Sequence, residues 1–145
     1  MRNQINMANC ILAIHSVLAI SREMSIDKVL LIYPFVYQKP MLSALASKKS
    51  NYKSLEKLLI DHPEWFSNFD NIYYSTLSLS INSIQYMNEM EHIEVNNGVI
   101  TLKKEIQYDK RMGLDAEKLF SASSFISDLL TKPSDHLYLN LRITL

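Results

Sequence analysis

Glycine is almost missing from this chain: Gly98 and Gly113 are the two in 145 residues. Backbones that wrap a phosphate or a dinucleotide place several glycines close together, so P-loop and Rossmann-type sites are excluded. No G-x-S-x-G elbow occurs either. Proline numbers 4, and so little of both breakers excludes a loop-rich, low-complexity or collagen-like chain. The single cysteine, Cys10, cannot close an internal disulfide, which points to a reducing cytoplasm. An excess of one charge is also lacking, since 15 Lys and Arg balance 15 Asp and Glu. Free-standing nucleic-acid binders draw most of their affinity from neutralised phosphates, so zero net charge argues against that class. It also removes the repulsion that keeps monomers apart, which suits a subunit. No run approaches the roughly 20 apolar residues of a spanning helix. The apolar stretch 11–20 follows Arg2, but Asn9 and His15 interrupt it and no small-x-small cleavage site follows. It is read as part of the fold, not as a signal peptide.

What is present is core material. The hydrophobic fraction is 48%, and a chain of this length folds as one domain, residues 1–145, burying roughly two-thirds of its unfolded surface. Met7, Ile11, Ile14 and Leu18, widened by Cys10 and Val17, make the stripe of an amphipathic helix. Ser25 is placed to cap a second helix, with Asp27 favourable in its first turn. From Val29 to Tyr37 every residue is apolar or aromatic, and Pro34 is expected to kink or end that helix. Pro40 suits the first position of a third. After the polar connection 48–51, Ser54 caps a helix carrying Leu55, Leu58 and Leu59, which His62-Pro63 stops. Glu64-Trp65-Phe66 forms one turn that sends aromatics into the core. In 68–90, Tyr74, Leu77, Ile81, Ile84 and Met87 keep helical spacing. Leu77, Leu79 and Ile81 also alternate with serines, as a strand would, but the helical pattern continues too far for a normal strand.

Asn97-Gly98 suits a two-residue type I′ turn. Folding about it sets Val95 opposite Ile100 and Ile93 opposite Leu102 on one buried face, with Glu94 facing Thr101 on the other. Asp115 caps a further helix with Leu119, Ala122, Ile126 and Leu129 as its stripe, ending before Pro133. The tail alternates strictly, Leu137, Leu139, Leu141, Ile143 and Leu145 against Tyr138, Asn140, Arg142 and Thr144, and predicts a half-buried terminal strand. The fold class is α+β, mainly α: a winged-helix-like helical domain with a β-hairpin and a C-terminal strand.

Catalysis needs convergent polar groups, and none converge here. His15, His62, His92 and His136 are scattered outside any zinc-binding spacing. Glu89 with Glu91, and Asp115 with Glu117, sit at element ends, where acids serve the helix dipole. No catalytic residue, cofactor or metal is expected. Winged helices often bind DNA through the helix before the wing, presenting Arg, Lys, Asn or Gln. Here that helix, 68–90, contains no Lys or Arg. Lys48, Lys49, Lys53, Lys57 and, separately, Lys103, Lys104, Lys110 and Arg111 are the remaining candidates for weak, sequence-independent DNA contact.

The order of several blocks carries a family resemblance. Lys28-Val-Leu-Leu-Ile-Tyr-Pro-Phe-Val-Tyr-Gln-Lys is followed by Ser54-Leu-Glu-Lys-Leu-Leu-Ile and a serine-rich helix through Ile84. Then come Gly98-Val-Ile-Thr-Leu, Ala116-Glu-Lys-Leu-Phe-Ser-Ala-Ser and Leu139-Asn-Leu-Arg-Ile. Over nearly its full length the chain resembles the middle components of bacterial three-component ABC systems, including the small subunit of Lamassu-type (Ddm-type) defence complexes. The resemblance implies a role beside an SMC-like ABC ATPase and a nuclease effector, acting against phages and plasmids. The subunit would dock on the ATPase heads and hold the nuclease inactive until DNA is engaged. It implies no catalytic residue.

The expectation is therefore a non-catalytic adaptor, with a winged-helix DNA-binding regulator as the rival and an unidentified enzyme as a third reading. Partners are the ATPase and nuclease subunits, with DNA reached through the complex and no membrane contact. Two segments carry more apolar surface than a lone domain readily covers. The candidate interface residues are Leu31, Tyr33, Phe35 and Tyr37 from the first, and Tyr138, Asn140 and Arg142 from the tail.

Overall fold

The structure is a computed structural model that describes residues 2–47, 54–105 and 114–144. Helix α1, Arg2–Ser21, leads through Arg22 into strand β1, Glu23–Ser25. Helices α2 (Ile26–Val29), α3 (Ile32–Tyr37), α4 (Lys39–Ala46) and α5 (Leu55–Asp61) follow, then a single 3-10 turn, Pro63–Trp65. The long helix α6, Phe69–Glu89, precedes the hairpin of β2 (Ile93–Asn96) and β3 (Val99–Leu102). Helices α7 (Leu114–Leu129) and α8 (Ser134–Asn140) complete the described chain. The protein is mainly helical with one three-stranded antiparallel sheet, of strand order β1-β3-β2. No single helix among the described residues is long and apolar enough to cross a membrane.

The hairpin forms in the expected register, Ile93 with Leu102 and Val95 with Ile100. Asn97 and Gly98 both take positive φ, 52° and 76°, as a type I′ turn requires. Ile93 and Ile100 are buried, whereas Val95, nearer the tip, is exposed. Ser54 caps α5, its hydroxyl accepting from the Lys57 amide at 3.1 Å. Pro40 sits in the first turn of α4. The apolar block breaks at Leu30–Leu31, ahead of Pro34, which lies inside the first turn of α3. There its missing N–H is one of the donors a helix start leaves unpaired anyway. Phe66 enters the core, while Trp65 stays half-buried and stacks on His62 at 3.7 Å.

Two expectations are corrected. The tail is helix α8 and a turn, not a strand, and the third strand of the sheet is β1. Leu137 and Leu141 are one helical turn apart, so strict alternation contains the i, i+4 pair that buries here. Pro133, with Asp135 accepting from the His136 amide at 2.8 Å, starts the helix. The second correction is a rotation of α6. Its buried face is Phe69, Ile72, Tyr73, Thr76, Ser80, Ser83, Ile84 and Met87, while Tyr74 and Ile81 point outward. Thr76 and Ser83 donate back to the carbonyls of Ile72 and Leu79, each at 2.8 Å, so their hydroxyls enter the interior already paired. Small side chains let α6 lie close against α1, where Cys10 is fully buried. Burial pushes that thiol up to about 11, with the Ser83 and Ser80 hydroxyls offsetting part of the effect.

Candidate protein-interaction cleft

Leu31 and Phe35 are fully buried and Tyr33 nearly so, which corrects their assignment to a partner surface. Helices α1, α4, α6 and α7 all pack on α3, so this chain covers the block by itself. Burial raises the Tyr33 phenol to about 12. Tyr37 alone of the four reaches solvent, 51% exposed, at a hollow of about 150 Å³ shared with Asn9 and Lys39. Tyr138 is also interior, its hydroxyl donating to the Asp27 carbonyl at 2.6 Å. Lys103 and Lys104 are exposed at the end of β3. Lys57 is exposed on α5 and pairs with Asp61, while Lys48, Lys49, Lys53, Lys110 and Arg111 lie outside the described residues.

Asn140 and Arg142 do meet a concave surface. A cleft of about 560 Å³ opens between the end of α5, the start of α6 and the turn after α8. Leu59, Pro63 and Phe66 line one wall, Leu139 and Leu141 the other. Leu139 is 78% exposed and Ile60, beside Leu59, is 75% exposed. Sequence reasoning placed Leu139 on the buried face of a strand, and so missed the most exposed large apolar side chain on this cleft. A helical reading from Pro133 would have separated it from Leu137 and Leu141.

Arg142 owes its position to the way α8 ends. The Ile143 amide donates to the Tyr138 carbonyl and the Arg142 amide to Leu139, both at 3.1 Å, closing a Schellman turn. Arg142 then sits in the left-handed region, φ 58°, where glycine is usual. Among the described residues, its guanidinium makes no hydrogen bond or ion pair. Across the cleft, Asp70 Oδ1 accepts from the Asn71 amide at 2.8 Å, in the first turn of α6. Three acids on the neighbouring elements pair locally: Asp61 with Lys57 at 3.3 Å, Glu56 with His136 at 3.1 Å and Glu64 with His62 at 3.2 Å. The cleft is apolar at its floor, with one acid, Asp70, on the α6 side and one cation, Arg142, after α8.

Away from the cleft, Tyr74, Ile81 and Tyr86 of α6, Met90 after it, and Val95 and Val99 of the hairpin are also exposed. Between Asp70 and Glu89 this helix carries no charged residue. Among the described residues, no group of three or more His, Cys, Asp or Glu is placed to hold a metal ion.

Fold and surfaces together define a small helical domain whose distinctive exposed features are apolar. Its sequence matches a family model from residue 2 to residue 145, that of the ABC-three component (ABC-3C) system Middle Component 3, MC3. The chain belongs to that family and is a middle component of an ABC-three component system. No curated protein and no solved structure matches it significantly.

Proposed function

We propose that this protein is a non-catalytic adaptor that joins the other components of its ABC-three component system. The observation that carries the reading is the outer face of α6. That helix precedes the hairpin, where a DNA-reading domain presents cations, and this one presents Tyr74, Ile81 and Tyr86 with no Lys or Arg. The order helix, strand, helices, hairpin, with β1 on the outer side of β3, supports a winged-helix ancestry with added helices. The exposed apolar side chains of α6 and the α5–α8 cleft offer two places for partners, as a bridging subunit needs. In the specific form of the proposal, the complex is a cytoplasmic, Lamassu-type defence assembly. One surface meets an SMC-like ABC ATPase and the other a nuclease effector, which the adaptor restrains until DNA is sensed.

Co-expression with the ATPase and third components tests the reading. The expected result is one stable complex, with little DNA affinity for the isolated subunit at physiological salt. Tight, sequence-dependent DNA binding by the subunit alone would favour the regulator reading instead and reject this one.

A further inference from the structure

Resting on the adaptor reading, we infer that the α5–α8 cleft captures a short partner segment in which a large apolar side chain lies between a base and an acid. The apolar requirement comes from the floor: Leu59, Phe66 and Leu141 offer no donors, and a space of about 560 Å³ accommodates one or two large side chains. The charge requirement comes from the two walls. Asp70 and Arg142 face the same cleft without pairing to each other. Among the described residues Arg142 has no other partner, and Asp70 keeps an oxygen beyond the one its own helix uses. A base beside Asp70 and an acid beside Arg142 would satisfy both and fix the direction in which the segment lies. Leu139 stands on the rim as the side chain a partner would cover first, and Ile60 extends the apolar edge. Arg142 also occupies a backbone position that glycine would hold with less strain, so its side chain is kept despite a conformational cost.

The test uses the co-expressed three-component complex with p-benzoylphenylalanine in place of Leu139. After irradiation, mass spectrometry is expected to place the crosslink on a segment of another component with an apolar residue between basic and acidic neighbours. Crosslinking to a second copy of this chain, to DNA or to an uncharged segment overturns the proposal, as does no crosslink in an intact complex. In those cases the adaptor reading stands; if no complex forms even with the unaltered chain, both fall. Variants supply a second readout. Leu139→Asp and Arg142→Glu should each weaken partner binding about tenfold or more, and Arg142→Lys by much less. Arg142→Gly should weaken binding while raising the thermal midpoint. A purely structural role for Arg142 would move both in the same direction, and that outcome also overturns the proposal.

Discussion

The phenol oxygens of Tyr73 and Tyr138 lie 3.2 Å apart inside the protein, and their rings meet edge to face. The Tyr138 proton is directed at the Asp27 carbonyl, so Tyr73 donates to Tyr138 and the chain of bonds ties α6, α8 and α2 together. Burial and the Tyr73 hydroxyl together hold the Tyr138 phenol far above its ordinary value.

Tyr138→Phe removes the middle of that chain and leaves two buried groups unmatched. Chemical denaturation should show a loss of about 1–3 kcal/mol. Tyr73→Phe, which removes only a terminal donor, should cost less, about 1 kcal/mol. Equal losses would mean the bonds do not run in this order.

Stability should fall on mild acidification. His15 is buried, and its Nε2 contacts the Lys104 carbonyl at 2.6 Å. Burial holds the imidazole below its ordinary 6.5; the Lys104 carbonyl and Glu105 oppose this, while His92, at 6.2 Å, adds to it. Well above pH 6.5 the ring is neutral in both folded and unfolded chains. Below it the unfolded chain takes a proton that the folded chain resists, so stability is lost as pH falls. Thermal midpoints measured from pH 7.5 down to 5 should decline, and His15→Gln should flatten that slope.

The rotation of α6 gives a paired test. Ser80→Leu would force a large side chain into the close α1–α6 contact and should cost about 1–3 kcal/mol in a denaturant titration. Ile81→Ser, one residue on, faces outward and should change stability by less than about 0.5 kcal/mol. The pattern of apolar residues alone would have ranked these two in the opposite order.

Gly98→Ala isolates the cost of a backbone conformation. A Cβ built on Gly98 meets nothing within 4 Å, so no clash contributes. The φ of +76° still disfavours any other residue, and the expected loss is about 1 kcal/mol by thermal or chemical unfolding. A much larger loss would mean that the turn does more than reverse the chain.

Legibility in the sequence followed how local each signal was. The hairpin was readable because Asn97-Gly98 fixes turn type and register within ten residues. Strand β1 was not, because three residues with one buried side chain, Met24, leave no periodicity; only pairing with β3 makes it a strand. The face of α6 was misread because serine and threonine count as polar, although the Thr76 and Ser83 hydroxyls bond back to their own helix. The tail was misread because Leu137, Leu141 and their neighbours satisfy both the strand and the helix period. That second ambiguity concealed the cleft, since Leu139 becomes a surface residue only when α8 is helical. Leu31, Tyr33 and Phe35 proved interior for a different reason: sequence shows that a segment needs covering, not which element covers it.

Arg22 is the whole connection between α1 and the sheet, and the Leu102 amide donates to its carbonyl at 2.9 Å. A joint of one residue, pinned on its far side by β3, leaves no slack. Helix α1 spans about 30 Å at 1.5 Å per residue. Because α1 is itself packed against α3, α6 and α7, that joint anchors the sheet directly to the helical core.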